Sequence, residues 1–131
     1  MTILRRSLHA FAAVYWGSGL AIMLVPRWIL VDWFGQPPYV DYTYVRVAGA
    51  MSLTLGLFAV MVARRDDAWW WAWAFAVTTG LCSTITTLHA AFGVPDSAGS
   101  FLWWLFAVSS WILTAGLVVG ITRASQEHPI S

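Results

Sequence analysis

The sequence predicts an all-α membrane protein, a bundle of four transmembrane helices. Of its 131 residues, 60% are hydrophobic and only 10% are charged, whereas soluble domains carry about 25% charged residues. The apolar residues fall in four long runs that contain no Asp, Glu, Lys or Arg. Each run is long enough, at roughly 17–25 residues, to cross a hydrocarbon core of about 30 Å. We therefore expect a polytopic protein with one domain over residues 1–131, its spans at about 7–25, 45–63, 69–92 and 101–122.

The first span is expected to stay in the protein as a transmembrane helix. Its apolar run is longer than the roughly 7–15 residues of a signal-peptide core. The stretch Val25-Pro26-Arg27-Trp28 that follows it also lacks the small-residue pattern of a cleavage site. Both observations argue against a cleaved leader.

The first connection, from Pro26 to about Tyr44, is the longest loop, and we expect a short helix within it. Pro26 suits a first helical turn, and Gly35 followed by two prolines suits a stop and an extended segment. Between them, Arg27–Phe34 is mostly apolar, which is typical of a helix lying in the membrane interface. A membrane anchor and a lid over an outer cavity are both open interpretations of this helix.

Small residues recur four positions apart in every span, a pattern that allows helices to approach closely inside a membrane. We expect most of these rows to form the interfaces of a compact bundle, while one of them is also suited to a homo-oligomer. The rows are Ala13, Gly17, Ala21; Ala48, Ser52, Gly56; Ala72, Ala76, Gly80, Thr84; and Gly116, Gly120.

The distribution of arginine predicts the orientation in the membrane. With four spans, both termini and the second connection share one side. That side carries Arg5, Arg6, Arg64, Arg65 and Arg123, and the other carries Arg27 and Arg46. This asymmetry predicts that both termini are cytoplasmic. The second connection, Arg64–Ala68, is short enough for a tight hairpin only, so spans 2 and 3 are expected to be antiparallel neighbours.

The third span combines an apolar face with a polar face. With about 100° of rotation per residue, the apolar face holds Trp70, Val77, Leu81, Ile85, Leu88 and Phe92. The polar arc holds Thr78, Thr79, Cys82, Ser83, Thr86 and His89. Two interpretations are open. The polar groups bond to neighbouring helices, or they line a small polar cavity that opens outward, with His89 near its mouth.

Arg46 favours the cavity interpretation. It lies one or two turns inside the second span, and ionisable residues at membrane depth commonly face the bundle interior and carry function. Because spans 2 and 3 are expected to be neighbours, we predict that Arg46 and His89 lie close together at the outer end. The alternative is an arginine that extends to the lipid headgroups. The candidate ligand-binding residues are Asp41, Tyr44, Arg46, Thr79, Cys82, Ser83, Thr86 and His89.

Several functions are disfavoured by the sequence. The chain has no lysine, so it cannot form a retinal Schiff base, and no Asp or Glu lies within a span, as a small proton-coupled antiporter would require. His9 and His89 lie at opposite ends of the bundle, so a haem with two histidine ligands is not expected within a monomer. No metal site is expected, because Cys82 and His89 lack a third ligand. A formal net charge of +1 gives no sign of nucleic-acid binding.

The run YVRVAGAMSLTLGLFAVMVARRDDA, residues 44–68, resembles the second helix and following hairpin of the DoxX-like family of small four-helix bacterial membrane proteins. Many members carry an acidic residue within this helix, and here Ser52 stands near that place. The resemblance implies a link to quinone-coupled sulfur oxidation or to membrane complexes that handle thiol and oxidative stress. It is carried by Arg46, Gly49, Gly56, Arg64 and Arg65.

Three classes of function follow from these observations. The leading hypothesis is a non-enzymatic accessory protein of the bacterial inner membrane, which binds a partner protein or a lipophilic small molecule such as a quinone at the outer side of the bundle. The second is a membrane redox enzyme subunit with its site around Arg46 and His89. The third is a small channel or transporter formed by an oligomer, which the absence of buried acids disfavours.

Overall fold

The structure is a computed structural model that describes residues 1–38, 40–94 and 99–127. Within these ranges it contains four long helices, and each is long and apolar enough to cross a membrane. The prediction of an all-α bundle with four membrane-spanning helices is confirmed. The helices are α1 (Thr2–Leu24), α2 (Thr43–Ala63), α3 (Ala68–Leu88) and α4 (Phe101–Glu127).

The helices extend beyond the predicted spans at the two chain ends. Helix α1 begins at Thr2 rather than near residue 7, and α4 ends at Glu127 rather than near residue 122. At these two ends the predicted spans stop at Arg6 and Arg123, because arginine is costly in hydrocarbon. Charge does not end a helix, however, so Arg5, Arg6 and Arg123 lie on helical turns at the edge of the apolar region.

The short helix predicted in the first connection is present. Residues Trp28–Trp33 form a π-helix, here called the loop helix. Gly35 follows it with a φ of 65°, a left-handed conformation that glycine adopts without a steric penalty. The chain therefore turns sharply at the predicted stop. A second π-helical segment, His89–Gly93, extends the end of α3.

Two helix pairs make up the bundle, α1 with α2 and α3 with α4. Helices α1 and α2 touch at two levels. A Cβ atom at Gly56 would lie 2.9 Å from the Trp16 nitrogen, and one at Gly49 would lie 2.7 Å from the Gly19 carbonyl oxygen. These are near-backbone contacts that only glycine allows. Gly17, by contrast, has nothing within 4 Å of the Cβ position, so the contact face of α1 is offset from the predicted Ala13–Gly17 row.

Contact between α2 and α3 is slight, although a four-residue connection joins these helices. Phe58 and Phe75 meet with ring centroids 5.6 Å apart. In the connection itself, Arg65 Nε donates to Asp67 at 2.7 Å and Trp71 Nε1 donates to the same carboxylate at 3.0 Å. The hydrogen bond from Arg65 and then that from Trp71 lower the pKa of Asp67 to about 2. The turn is thus fixed by its own side chains.

All four helices pack together at one end of the bundle. We call this the terminal end, because it holds the start of α1, the end of α4 and the connection between α2 and α3. There a Cβ at Gly120 would lie 2.6 Å from Leu4 Cα, so α1 and α4 are in contact. The buried apolar core lies in this half of the helices. Its members are Leu4, Leu8, Phe11, Ala12, Ala59, Val62, Ala63, Ala68, Ala72, Phe75, Ala76, Leu113, Leu117, Ile121 and Ala124.

The opposite end, called here the loop end, holds the first connection and the approach to α4. At this end cavities lie between the two helix pairs. The loop helix and the residues after it cover these cavities. The molecule therefore consists of two helix pairs that are joined at the terminal end and separated at the loop end.

Candidate functional site

The polar arc of α3 packs against α4. Thr79 and Ser83 are both 0% exposed. Thr114 Oγ1 of α4 donates to Thr79 Oγ1 at 2.8 Å, and Ser83 Oγ lies 3.5 Å from Thr114 Oγ1. Bonds of this kind between membrane helices are worth about 0.6 kcal/mol each. These two candidate ligand residues therefore act as packing groups that hold the α3–α4 pair together.

The other polar residues of the arc are also engaged within the protein. Thr86 Oγ1 donates to the carbonyl oxygen of Cys82 at 2.6 Å, a bond back along the same helix. The side chain of Cys82 lies close to that of Tyr15 of α1. The contact joins the two helix pairs near the middle of the bundle.

The opposite face of α3 is exposed, as predicted for a lipid face, with Leu81 and Ile85 60% and 66% accessible.

Arg46 faces α1 rather than α3. Its Nη1 donates to the Met23 carbonyl oxygen at 2.8 Å, and the side chain is exposed. Asp41 accepts hydrogen bonds from the Thr43 hydroxyl and backbone N–H, and these two bonds lower its pKa. Tyr44 is 86% exposed. The Asp41 carboxylate thus orders the start of α2. In the described part of the chain, no ion pair joins Asp41 to Arg46.

His89 lies on the other helix pair, against α4. Its ring meets the Trp103 ring edge to face, with centroids 4.3 Å apart. Gly93 leaves room for this position, since a Cβ there would lie 2.6 Å from His89 Nδ1. Within the described ranges no hydrogen bond or ring contact connects His89 with Arg46. Their predicted proximity stays a prediction, and the structure places the two side chains on different helix pairs.

A buried amide near the loop end was not identified from the sequence. Gln36 is only 8% exposed. Its Nε2 donates to the Gly99 carbonyl oxygen at 2.6 Å, and its Oε1 accepts from Trp103 Nε1 at 3.1 Å. Trp103 therefore connects His89 to the first loop. The sequence signal was a single polar residue between Gly35 and two prolines, a place where the chain turns back on itself.

The first cavity between the helix pairs has a volume of about 280 Å³ and an almost wholly apolar lining. Helices α1 and α4 form its walls, and the loop helix covers it. Ser18 and Ser109 are its polar residues, and both hydroxyls donate to carbonyl oxygens of their own helices. The other lining residues are Val14, Ala21, Ile22, Ile29, Leu30, Phe34, Leu102, Leu105 and Phe106.

A second cavity of about 200 Å³ lies on the α2 side and shares four lining residues with the first. Its polar lining comes from Gln36, Ser52 and Trp103. Together the two cavities fall within the size range of small-molecule sites, roughly 300–1,000 Å³. The shared residues are Ile22, Leu30, Leu102 and Phe106.

The lining of the two cavities is suited to binding an apolar molecule. Among the described residues, no charged side chain, cysteine or histidine lines either cavity. In the described residues, no group of three His, Cys, Asp or Glu side chains is placed to hold a metal ion. The apolar walls can bury a hydrocarbon chain, and the Gln36–Trp103 pair provides the polar boundary at one end.

Comparison of the chain with family models, with curated proteins and with solved structures gave no match. The resemblance to the DoxX-like family therefore stays a prediction from residues 44–68.

Proposed function

We propose that this chain is a small accessory protein of the bacterial inner membrane that binds a lipophilic small molecule between its helix pairs. The observation that carries the proposal is the apolar pair of cavities at the loop end. An apolar chain is the occupant that this lining favours, because it offers no fixed charge and few free hydrogen-bonding groups. A membrane quinone with an isoprenoid tail is the leading candidate.

The location of the cavities supports entry from the lipid phase. Val14 and Leu105, on the walls of the first cavity, are 38% and 47% exposed. A molecule already dissolved in the bilayer would reach the space between α1 and α4 without crossing water. Gln36 and Trp103 lie on the second cavity, where the head of a bound molecule would meet polar side chains.

The redox-subunit and channel alternatives have less support. The first relies on Arg46 and His89 acting together, and their contacts lie on different helix pairs. The second needs a polar path, while the polar residues of α3 are occupied in helix packing. Neither alternative accounts for the apolar cavities.

Filling the first cavity tests the proposal. Ser109 lines it, and its hydroxyl bonds only within α4. The variant Ser109→Phe places a ring in the space while keeping the helix. We expect wild-type protein purified from bacterial membranes to retain a lipophilic molecule through detergent exchange, and the variant to lose most of it. Liquid chromatography with mass spectrometry identifies and counts that molecule.

The matched control is Thr122→Phe, which adds the same ring at an exposed position of α4 nearer the terminal end. It should retain the molecule at the wild-type level. Equal retention by all three proteins, or no retained molecule in any of them, would contradict the proposal. A stoichiometric protein in place of a small molecule would favour an accessory role through a partner protein.

A further inference from the structure

A separate concavity of about 520 Å³ lies at the loop end, between the end of α1, the loop helix and the start of α2. It shares no lining residue with the two apolar cavities. A different face of the loop helix borders it, since Trp28 and Asp32 line this space while Ile29 and Leu30 line the first cavity. Its polar residues are Arg27, Asp32, Tyr42 and Arg46. We call it the arginine pocket.

The arginine pocket carries an excess of positive charge. Arg27 and Arg46 contribute two guanidinium groups against the single carboxylate of Asp32. In the described part of the chain, no ion pair joins Asp32 to either arginine, and Arg27 has no hydrogen-bond partner. Arg46 uses one N–H group on the Met23 carbonyl oxygen, so most of its donors remain available to a ligand.

The depth of the arginine pocket in the membrane indicates which kind of ligand it can bind. The pocket lies where α1 ends at Leu24 and α2 begins at Thr43, which is one surface of the membrane-spanning region. Trp28 on its wall is half exposed, as expected of an aromatic ring at headgroup level. Phospholipid phosphates lie at this level. The planar guanidinium fork matches phosphate oxygens in charge and geometry.

We propose that the arginine pocket binds the phosphate of an anionic phospholipid headgroup, with Arg27 and Arg46 as its ligands. The inference is independent of the lipophilic molecule proposed for the apolar cavities, because the two sites share no residue. The net positive lining favours a headgroup with one negative charge over a zwitterionic one. Asp32 opposes the anion and limits its affinity.

The test measures lipid binding to the full chain in detergent. Native mass spectrometry would be used with added phosphatidylglycerol and, in parallel, phosphatidylcholine. Wild-type protein should bind phosphatidylglycerol more tightly. The variant Arg27→Gln should weaken this binding about fivefold, since one arginine near an anionic headgroup is worth about that factor. In the described residues Arg27 is exposed and has no hydrogen bond or ion pair that its replacement would break.

The matched control is Arg123→Gln, an exposed arginine of α4 at the terminal end. It should leave phosphatidylglycerol binding unchanged, and Asp32→Asn should strengthen it. Equal affinities for Arg27→Gln, Arg123→Gln and wild type would overturn the site. A further arm adds inorganic phosphate at millimolar concentration. If free phosphate displaces phosphatidylglycerol, the pocket is a free-anion site and the lipid assignment is wrong.

Discussion

At the scale of single residues, the position of the first loop depends on a buried glutamine. Gln36 donates to the Gly99 carbonyl oxygen before α4 and accepts from Trp103 within α4. It also donates to the Phe34 carbonyl oxygen in its own loop, at 3.2 Å. These bonds hold the cover of the apolar cavities to α4. A buried amide has a large effect when it is removed, because each of its partners loses a bond that water cannot replace.

We expect Gln36→Ala to lower the free energy of unfolding by about 1–3 kcal/mol, the cost of leaving buried polar groups unsatisfied. Gln126→Ala is the matched control, since Gln126 is exposed near the end of α4, and it should be neutral. Thermal unfolding in detergent, followed by circular dichroism, measures both variants. Wild-type stability in Gln36→Ala would show that the loop is held by its apolar contacts alone.

Sequence patterns identified the polar residues of α3 but not the contacts that they make. The arc of Thr79 and Ser83 follows from helical rotation, and both interpretations of it were open. The distinction depends on α4, because Thr114 supplies the partner that makes the arc an interface. Periodicity along one helix cannot show which helix lies opposite. For the same reason Gln36 and Trp103, far apart in the chain, could not be linked.

At the scale of helices, the close approach of α1 and α2 depends on a few glycines. Gly56 meets the backbone of Ala12 and Trp16, and a Cβ there would lie 3.0 and 2.9 Å from their O and N atoms. Gly80 of α3 also belongs to a row of small residues, yet its nearest neighbour would be Thr114 Cγ2 at 3.9 Å. The first position has no room for a methyl group, and the second has an ordinary van der Waals contact.

The same substitution should therefore have opposite effects at these two positions. Gly56→Ala is expected to destabilise the bundle by about 1–3 kcal/mol through overpacking. Gly80→Ala should be neutral or stabilising by up to about 1 kcal/mol, because alanine favours helix more than glycine does. Unfolding by titration with a denaturing detergent measures the difference in free energy of unfolding between the two variants. If Gly80→Ala proves as harmful as Gly56→Ala, α3 and α4 pack at Gly80 without room for a methyl group, which contradicts the prediction.

The small-residue rows predicted which face of a helix packs only in part. Gly56 and Gly120 are close-contact positions as expected, while Gly17 has open space around it. The contact of α1 with α2 instead includes Gly19, which lies outside the predicted row. Small residues permit close approach but do not require it, so the row alone cannot separate an interface from a surface that faces lipid.

At the scale of the whole molecule, orientation follows from arginine alone, and we propose that both termini are cytoplasmic. Reporter tags at either terminus should then be protected from impermeant reagents. In a Cys82→Ser background, Asp66→Cys in the α2–α3 connection should be protected as well. Ser97→Cys, which lies outside the described residues, should be labelled from the outer side. Labelling of Asp66→Cys and protection of Ser97→Cys would reverse the orientation.

The number and approximate limits of the spans were predictable, because hydropathy depends on composition over a long window. The arrangement of the helices was not. A four-residue connection between α2 and α3 suggested close neighbours, and yet the larger interfaces are α1–α2 and α3–α4. Connection length limits the distance between two helix ends only. Side-chain fit along the rest of each helix determines the pairing, and the cavities at the loop end follow from it.

The pairing of helices that are consecutive in the chain bears on how the protein assembles during synthesis. Gly56 and Trp16, which are in contact, have both been synthesised once α2 is complete. The α1–α2 hairpin can therefore form in the bilayer before α3 is inserted. The second hairpin has its own bonds, such as Thr114 to Thr79. In the last step of assembly, the α1–α2 hairpin packs against the α3–α4 hairpin. The core at the terminal end holds the two hairpins together. This order of assembly does not require the hairpins to pack closely at the loop end, so the cavities there can remain open.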